Sequence, residues 1–343
     1  MTQQQASYGF WRAAGKRLWA DKLARFCMAV LVVYFLVAGA AGMGWVAKDW
    51  NEEVGVSYAN PSFLGDDYPN PQGKNSIISQ EVLVVDEKQK AVDPLAPYYE
   101  EIEKNAAAYE KAEVKPSWTL LLGGDKWGRD VFDKVIKAGQ VSISIGLASA
   151  LLAVFIGTVL GAVGGYFGGK LGDLLEWFYN IFTSVPYILL VLAFAAVFGK
   201  GVSTVILVLG FVGWTGTYRL IRAEYIKQRG RDYVMAANAI GASHGRKMFV
   251  HILPNVSHLI LVQLSQLVVD FIKAEVILSF LGLGVPTDSV SWGIMINEVM
   301  PELVLGKWWQ LATVAVVMST FVVSFGLFTD LLRDALDPKA SRR

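Results

Sequence analysis

Residues Val141 to Phe167 read VSISIGLASALLAVFIGTVLGAVGGYF, an unbroken stretch without Asp, Glu, Lys or Arg. A helix needs about 20 apolar residues to cross roughly 30 Å of hydrocarbon, so this stretch is long enough to span a bilayer. Within it Gly157, Gly161 and Gly165 recur every fourth residue, and Gly169 continues the period. Such a smooth stripe lets a neighbouring helix approach closely. Five further stretches qualify as spans: Phe26 to Ala47, Leu174 to Phe198, Val202 to Leu220, Val256 to Leu283 and Trp308 to Leu331. The expected architecture is therefore an all-α membrane protein with six transmembrane helices. Composition agrees, with 54% apolar and 18% charged residues against about 25% charged in soluble domains, and a mean hydropathy of +0.41.

The balance of 31 Lys+Arg against 30 Asp+Glu conceals a strong asymmetry along the chain. Arg12, Lys16, Arg17, Lys22 and Arg25 precede the first span, and Arg219, Arg222, Lys227, Arg229, Arg231, Arg246 and Lys247 surround the connection between the fourth and fifth. Arg333, Lys339, Arg342 and Arg343 follow the last. Positive charge is retained on the cytoplasmic side, so both termini are expected there. Residues 48–115 carry seven Lys+Arg and fourteen Asp+Glu, a net of −7 that suits a translocated segment. The expected organisation is a cytoplasmic segment 1–25, a first helix 26–47, a small extracytoplasmic insert 48–120, a membrane domain 121–338 with a cytoplasmic loop 223–255, and a tail 339–343. A cleaved signal peptide is the rival for the first span, because Ala38-Gly39-Ala40 has the small-x-small form of a cleavage site. Apolar residues that continue to Trp45 and Val46 suit an anchor better.

The insert opens with turn signals at Asn60-Pro61, Pro69-Asn70-Pro71 and Gly73, passes through a β-like run from Glu81 to Val85, and ends in a charged helical stretch from Pro97 to Lys111. It reads as a spacer or as a docking surface for an extracytoplasmic partner. Nucleic acid is excluded as a partner because no basic excess exists to neutralise phosphates. A single cysteine, Cys27, excludes an internal disulfide and a Cys-based metal cluster. His244, His251 and His258 share a spacing of seven but have no carboxylate cluster beside them, so no metal site is expected. Trp177, Trp214, Trp308 and Trp309 lie near span ends, where interfacial anchors sit.

The connection after the fourth span reads Asp232-Tyr233-Val234-Met235-Ala236-Ala237-Asn238-Ala239-Ile240-Gly241, followed by His251-Ile252-Leu253-Pro254. It predicts a short helix, a glycine break, a second short basic helix and a proline admitting the next span. This resembles the coupling-loop signature of ABC importer permeases: Glu-Ala-Ala, three residues, Gly, nine residues, Ile-x-Leu-Pro. Ala236, Ala237, Gly241, Leu253 and Pro254 match, while Met235 replaces Glu and His251 replaces Ile. Three further segments are similar to the C-type subunit of the dipeptide/oligopeptide permease group. These are Gly124-Asp125-Lys126-Trp127-Gly128-Arg129-Asp130-Val131, Glu275 with Leu278 to Gly284 and Ser291-Trp292-Gly293, and Asp330 to Pro338.

The resemblance implies a type I ABC importer permease fold in a bacterial cytoplasmic (inner) membrane. It implies a second homologous permease subunit, two cytoplasmic ATP-binding subunits that carry ATP and Mg, and an extracytoplasmic substrate-binding protein, with peptides as the commonest cargo and nickel, glutathione or peptide antibiotics as alternatives. The helix from Asp232 to Ile240 would then sit in an ATPase cleft. Asp232, Tyr233, Met235, Ala236, Ala237, Gly241, Arg246, Leu253 and Pro254 make up the expected coupling loop, with Arg246 and Lys247 available to the partner or to anionic lipid.

No catalytic set or bound cofactor is expected in this chain. Gly164 to Lys170 spells Gly-x-x-x-x-Gly-Lys, but Leu171 stands where Ser or Thr must hold Mg²⁺. Asp270, Lys273 and Glu275 each cost about 2.5–3.5 kcal/mol near the bilayer centre and should face protein or a watery path. Asp270 and Lys273 can pair along one face, whereas Glu275 is expected to line the pathway or meet the sister subunit. Gln263, Gln266, Asn180, Glu176 and Pro186 are weaker pathway candidates, as fitted to helix contacts or kinks as to substrate. The competing readings are an ion-coupled carrier using Asp270, Lys273 and Glu275 as a relay, which predicts paired, related halves not visible here, and a membrane scaffold.

Overall fold

The computed structural model describes residues 12, 14–65, 116–286 and 288–336. Helix α1 (Lys22–Gly42) leads to strand β1 (Gly55–Pro61), strand β2 (Ser117–Leu120) and the long helix α2 (Val131–Phe167). Then come α3 (Gly169–Thr183), α4 (Tyr187–Phe198), α5 (Val202–Val212), α6 (Thr215–Arg229) and the short α7 (Asp232–Ala239). A π-helical turn (Arg246–Ile252) runs into α8 (Leu253–Phe280), followed by α9 (Trp292–Val304) and α10 (Trp309–Leu336). Among the described residues five helical segments are long and apolar enough to cross a membrane, and six if the bent pair α3–α4 counts as one.

The spans depart from the sequence boundaries for local reasons. Helix α1 starts earlier, at Lys22, because the Asp21 carboxylate caps it, accepting from the Leu23 amide at 2.7 Å and the Ala24 amide at 3.0 Å. The expected continuous span from Leu174 to Phe198 is two helices bent by 82° at Ser184-Val185-Pro186. Pro186 has no N–H for a helical bond and pushes Val185 out of the α region, so the chain breaks there. The span from Val202 continues through Gly213-Trp214 to Arg229, which places Arg219, Arg222 and Lys227 on the helix rather than in a connection.

The chain divides into two compact units. In the first, comprising Met1–Val46, Val135–Met300 and Val314–Arg343, α2 packs backbone to backbone on α6. A Cβ at Gly157 would lie 2.6 Å from the Trp214 carbonyl oxygen, one at Gly161 would lie 2.8 Å from that of Tyr218, and one at Gly165 would lie 2.6 Å from that of Arg222. Gly169 does not belong to this stripe, contrary to the sequence expectation. Helix α2 ends at Phe167, the chain turns through positive φ at Gly168 and Gly169, and a Cβ at Gly169 would meet open space. Helix α1 lies on α10, with the Tyr34 hydroxyl donating to the Val317 carbonyl at 2.8 Å and its ring edge-on to Phe321. Trp214 is buried and stacked on Phe178 at 5.6 Å, so it is a core residue and not the expected interfacial anchor.

The second unit, Ala47–Lys134 with Pro301–Thr313, contains a parallel pairing of β1 with β2. Asn60 and Pro61, read as a turn, are instead the end of β1, paired with Thr119 and Leu120. The β-like run 81–85 and the helical stretch 97–111 lie outside the described residues. The centre of this unit is Asp125. Its carboxylate accepts from the Trp127 amide at 2.9 Å, the Arg129 amide at 3.1 Å, Arg129 Nε at 2.6 Å and Lys134 Nζ at 2.6 Å. Lys134 is wholly buried and also donates to Gln310 Oε1 at 3.2 Å. Gly128 sits at φ +78° against the Gly55 carbonyl, a position no side chain could occupy. Trp309, another expected anchor, is buried here and donates from Nε1 to the Gly124 carbonyl at 2.9 Å.

Burial pushes the Asp125 carboxyl up, but the Lys134 ammonium, the Arg129 guanidinium and the Trp127 amide outweigh it and hold the group below its ordinary value.

Two outcomes follow from this packing. Gly161→Val sets a Cβ against the backbone of Tyr218 and Arg222, which cannot swing aside. It should cost about 1–3 kcal/mol and lower the melting temperature in detergent, whereas Gly39→Ala, facing open space, should not. The Asp125 contribution is complete above its unfolded pKa of about 3.9 and is lost as pH falls through the lower folded value. Asp125→Asn should destabilise by about 3–5 kcal/mol at neutral pH and remove that acid-sensitive limb, as read by thermal unfolding across the range.

Candidate functional site

Helix α7 begins after extended Arg231 and is only eight residues long. It closes on Gly241, whose φ of +76° turns the chain back, with Gly241 N–H donating to the Asn238 carbonyl at 3.0 Å and Ala242 N–H to that of Ala237 at 3.0 Å. One side of α7 is inside the protein. Val234 and Ala237 are buried, and Val234 joins a cluster with Ala162, Tyr166, Ile221, Tyr225, Met248, Ile252 and Val256. The other side is bare: Asp232 and Ala236 are exposed, Met235 is 55% exposed and Ile240 84%.

Of the two matching alanines, Ala236 therefore faces outward and Ala237 packs into the chain itself.

The connection is fastened by polar contacts as well as by packing. The Tyr233 hydroxyl donates to Gln228 Oε1 at 3.0 Å, and burial pushes that phenol above its ordinary value. Tyr225 donates to the Met248 carbonyl at 3.2 Å. Lys247, expected to reach outward to a partner or lipid, is buried and donates to Asn238 Oδ1 at 2.9 Å, which ties the π-helical turn to the end of α7. Arg246 remains exposed. Leu253 and Pro254 open α8 as expected. Pro254 has no N–H to close an α-type bond to Val250, and the segment ahead of it is wound as a π-helix; the Asn255 side-chain Nδ2 donates to the His251 carbonyl at 2.7 Å. Lys247 reads as an outward-facing cation, and no local pattern signals its bond to Asn238.

The polar residues of α8 separate into two sets. Gln263, Gln266, Asp270 and Lys273 recur at intervals of three and four, so they share one face. Lys273 Nζ and Asp270 Oδ1 lie 3.6 Å apart, and both side chains are half exposed or more. Gln263, Gln266 and Asp270 line a cleft of about 310 Å³ with Gly326, Thr329 and Asp330 of α10. Such a charged face would be costly against hydrocarbon.

Glu275 belongs elsewhere. It is fully buried, so it neither lines a pathway nor reaches a sister subunit as expected. Its carboxylate accepts from the Ser142 and Ser279 hydroxyls, each at 2.7 Å; Ser142 Oγ in turn accepts from the Trp292 amide at 3.2 Å and Ser279 Oγ from the Val285 amide at 3.1 Å. Gly293 packs on the Val276 carbonyl, where a Cβ would lie at 2.7 Å. The separate motif pieces Glu275, Leu278 to Gly284 and Ser291-Trp292-Gly293 thus form one structural knot. Its missing member is Ser142, whose only sequence signal is a hydroxyl at the start of an apolar run.

The remaining weaker candidates, Glu176, Pro186 and Asn180, take different places. Glu176 meets Arg222 at 3.3 Å and accepts from the Tyr218 hydroxyl at 3.4 Å, Pro186 marks the α3–α4 break, and Asn180 is exposed. Gly164 to Lys170 straddles the end of α2 and the start of α3, with helix on both sides. Among the described residues no group of three or more His, Cys, Asp or Glu side chains is arranged to hold a metal ion.

Comparison with known proteins bears on this arrangement. The dipeptide transport system permease protein DppC of Bacillus subtilis is 35% identical over 67% of this chain and 72% of its own length. The oligopeptide transport system permease protein OppC of the same organism is 33% identical over 71% of this chain and 80% of its own. DppC of Lactococcus lactis is 35% identical over 68% of each. Among solved structures, an amino acid ABC transporter crystallised with histidines aligns at a TM-score of 0.43 and 14% identity, covering 56% of this chain and 89% of that one. The family profile that matches residues 153–342 takes in α7, the Gly241 turn, α8 and its exposed polar face, and by that match the chain belongs to the family of binding-protein-dependent transport system inner membrane components.

Proposed function

We propose that this chain is a non-catalytic permease subunit of an ATP-driven importer of di- and oligopeptides. The observation that carries the reading is the bare side of α7. Asp232, Met235, Ala236 and Ile240 face outward from a helix whose other side is fastened to its own chain. An apolar knob of this shape on a polar loop is suited to a cleft in another protein, and the absence of Glu at Met235 makes the docking one of shape more than of charge. The named relatives act on dipeptides and oligopeptides, which supports the same cargo class here.

In this reading the loop is cytoplasmic, as are both termini, in agreement with the Lys/Arg distribution. Two ATP-binding subunits carry ATP and Mg, and one of them holds α7. A second permease subunit faces Gln263, Gln266, Asp270 and Lys273 across a watery path, which spares those groups contact with lipid. An extracytoplasmic binding protein delivers the peptide. Closure of the ATPases pushes α7 and shifts the helices between two discrete arrangements.

Gly241→Val tests the lever. Valine at φ +76° costs about 1–3 kcal/mol in backbone strain but meets open space, so the chain should still insert. Peptide uptake by cells carrying the complete set of subunits should fall at least tenfold, with reduced co-purification of the ATPases. Undiminished uptake would count against the reading, as would transport by the chain alone without ATP.

A further inference from the structure

We infer that Tyr166 and His244 form the joint that carries movement of the α6–α8 connection into α2. This rests on the reading of α7 as a docking element. The connection is covalently continuous with α6 and α8, and it reaches α2 through side chains. The His244 ring lies beside Tyr166 at 5.7 Å and Phe167 at 5.6 Å, the last two residues of α2, and its Nδ1 shares a hydrogen bond with the Tyr166 hydroxyl at 2.9 Å.

The Tyr166 carbonyl, one of those left without a helical partner at the end of α2, accepts from the Arg229 guanidinium at 3.0 Å. The end of α2 is thus held on one side by the last turn of α6 and on the other by the connection.

Position along the chain makes the joint directional. Gly241 is the turn, and His244 lies just beyond it on the side opposite α7. A push on α7 that passes through the turn displaces His244, and with it the end of α2. The glycine stripe that seats α2 on the α6 backbone then makes the two helices follow as one body. The apolar cluster around Ile221 and Met248 sets the resting position; the hydrogen bond fixes which way α2 is drawn. Tyr166 and His244 are therefore positioning residues, acting through α2 rather than on a substrate.

The test uses the complete importer, co-expressed with its ATPases and reconstituted in liposomes, with Cys27→Ala removing this chain's one cysteine and the partner subunits freed of reactive cysteines in the same way. Spin labels are placed at Phe155 on α2 and Val316 on α10, both well exposed. Distances are measured with and without ATP under non-hydrolysing conditions. Tyr166→Phe keeps the ring and loses only the hydroxyl, while His244→Ala loses both contacts. Each should leave the ATPases bound while the ATP-dependent population of the shifted distance falls by roughly fivefold, the weight of one hydrogen bond. His244→Asn, which can restore a partner near Nδ1, should recover most of it. A wild-type shift in both variants overturns the joint but leaves the docking reading intact. Failure of the ATPases to co-purify with the unaltered chain, or no ATP-dependent shift in it, overturns both.

Discussion

The contact on which the rest of the molecule depends is the backbone-to-backbone seating of α2 on α6. Helices within a bilayer gain little from excluding water, because the surrounding lipid is as apolar as they are, so close packing must supply the attraction. Gly157, Gly161 and Gly165 leave no room for a side chain of α2 against the α6 backbone, whose carbonyls stand 2.6–2.8 Å from where each Cβ would lie. That contact brings the ends of α2 and α6 together, so Arg229 can cap the Tyr166 carbonyl and Tyr166 can meet His244. Without it the connection from α7 to α8 would be anchored only through its own flanking helices.

A second constraint sorts the polar side chains. In hydrocarbon an unsatisfied polar group is expensive, so each must find a partner in its own chain or face water or protein. Glu275 takes the first course, with the Ser142 and Ser279 hydroxyls around it, and joins α2, α8 and the lead-in to α9. Asp270 and Lys273, only a few residues earlier on α8, take the second, since their mutual contact at 3.6 Å leaves both largely exposed. A structural carboxylate and a surface one thus sit little more than one helical turn apart. Their roles differ because position on the helix decides which neighbours each meets. Asp125 solves the same problem away from the spans with two cations and two amides.

The connection between α6 and α8 combines a firm inner side with a bare outer one. Tyr225 and Tyr233 spend their hydroxyls inside the protein and Lys247 its ammonium, while Arg231, Asp232 and Arg246 keep their charges exposed. Its apolar tip is Met235 and Ala236 on a single short helix with Ile240 at the helix cap. A rigid element with a protruding apolar tip transmits displacement where a flexible loop would absorb it, which is the physical basis for treating it as a lever.

Sequence alone determined the rough placement of the apolar spans, the turn at Gly241, the proline start of α8 and the shared face of Asp270 and Lys273. Those features rest on periodicity and on backbone preferences within a few turns of chain, which the residues carry themselves. Only the tertiary structure decided that Glu275 is enclosed, that Lys247 turns inward, that Gly169 leaves the stripe and that Trp214 and Trp309 are core residues. Partners for such groups are chosen across long distances in the chain: Ser142 and Glu275 are 133 residues apart, and Trp309 and Gly124 are 185 apart. Whether a polar or aromatic side chain faces inward or outward depends on which helix lies beside it, and helix neighbours follow from packing that no local pattern encodes.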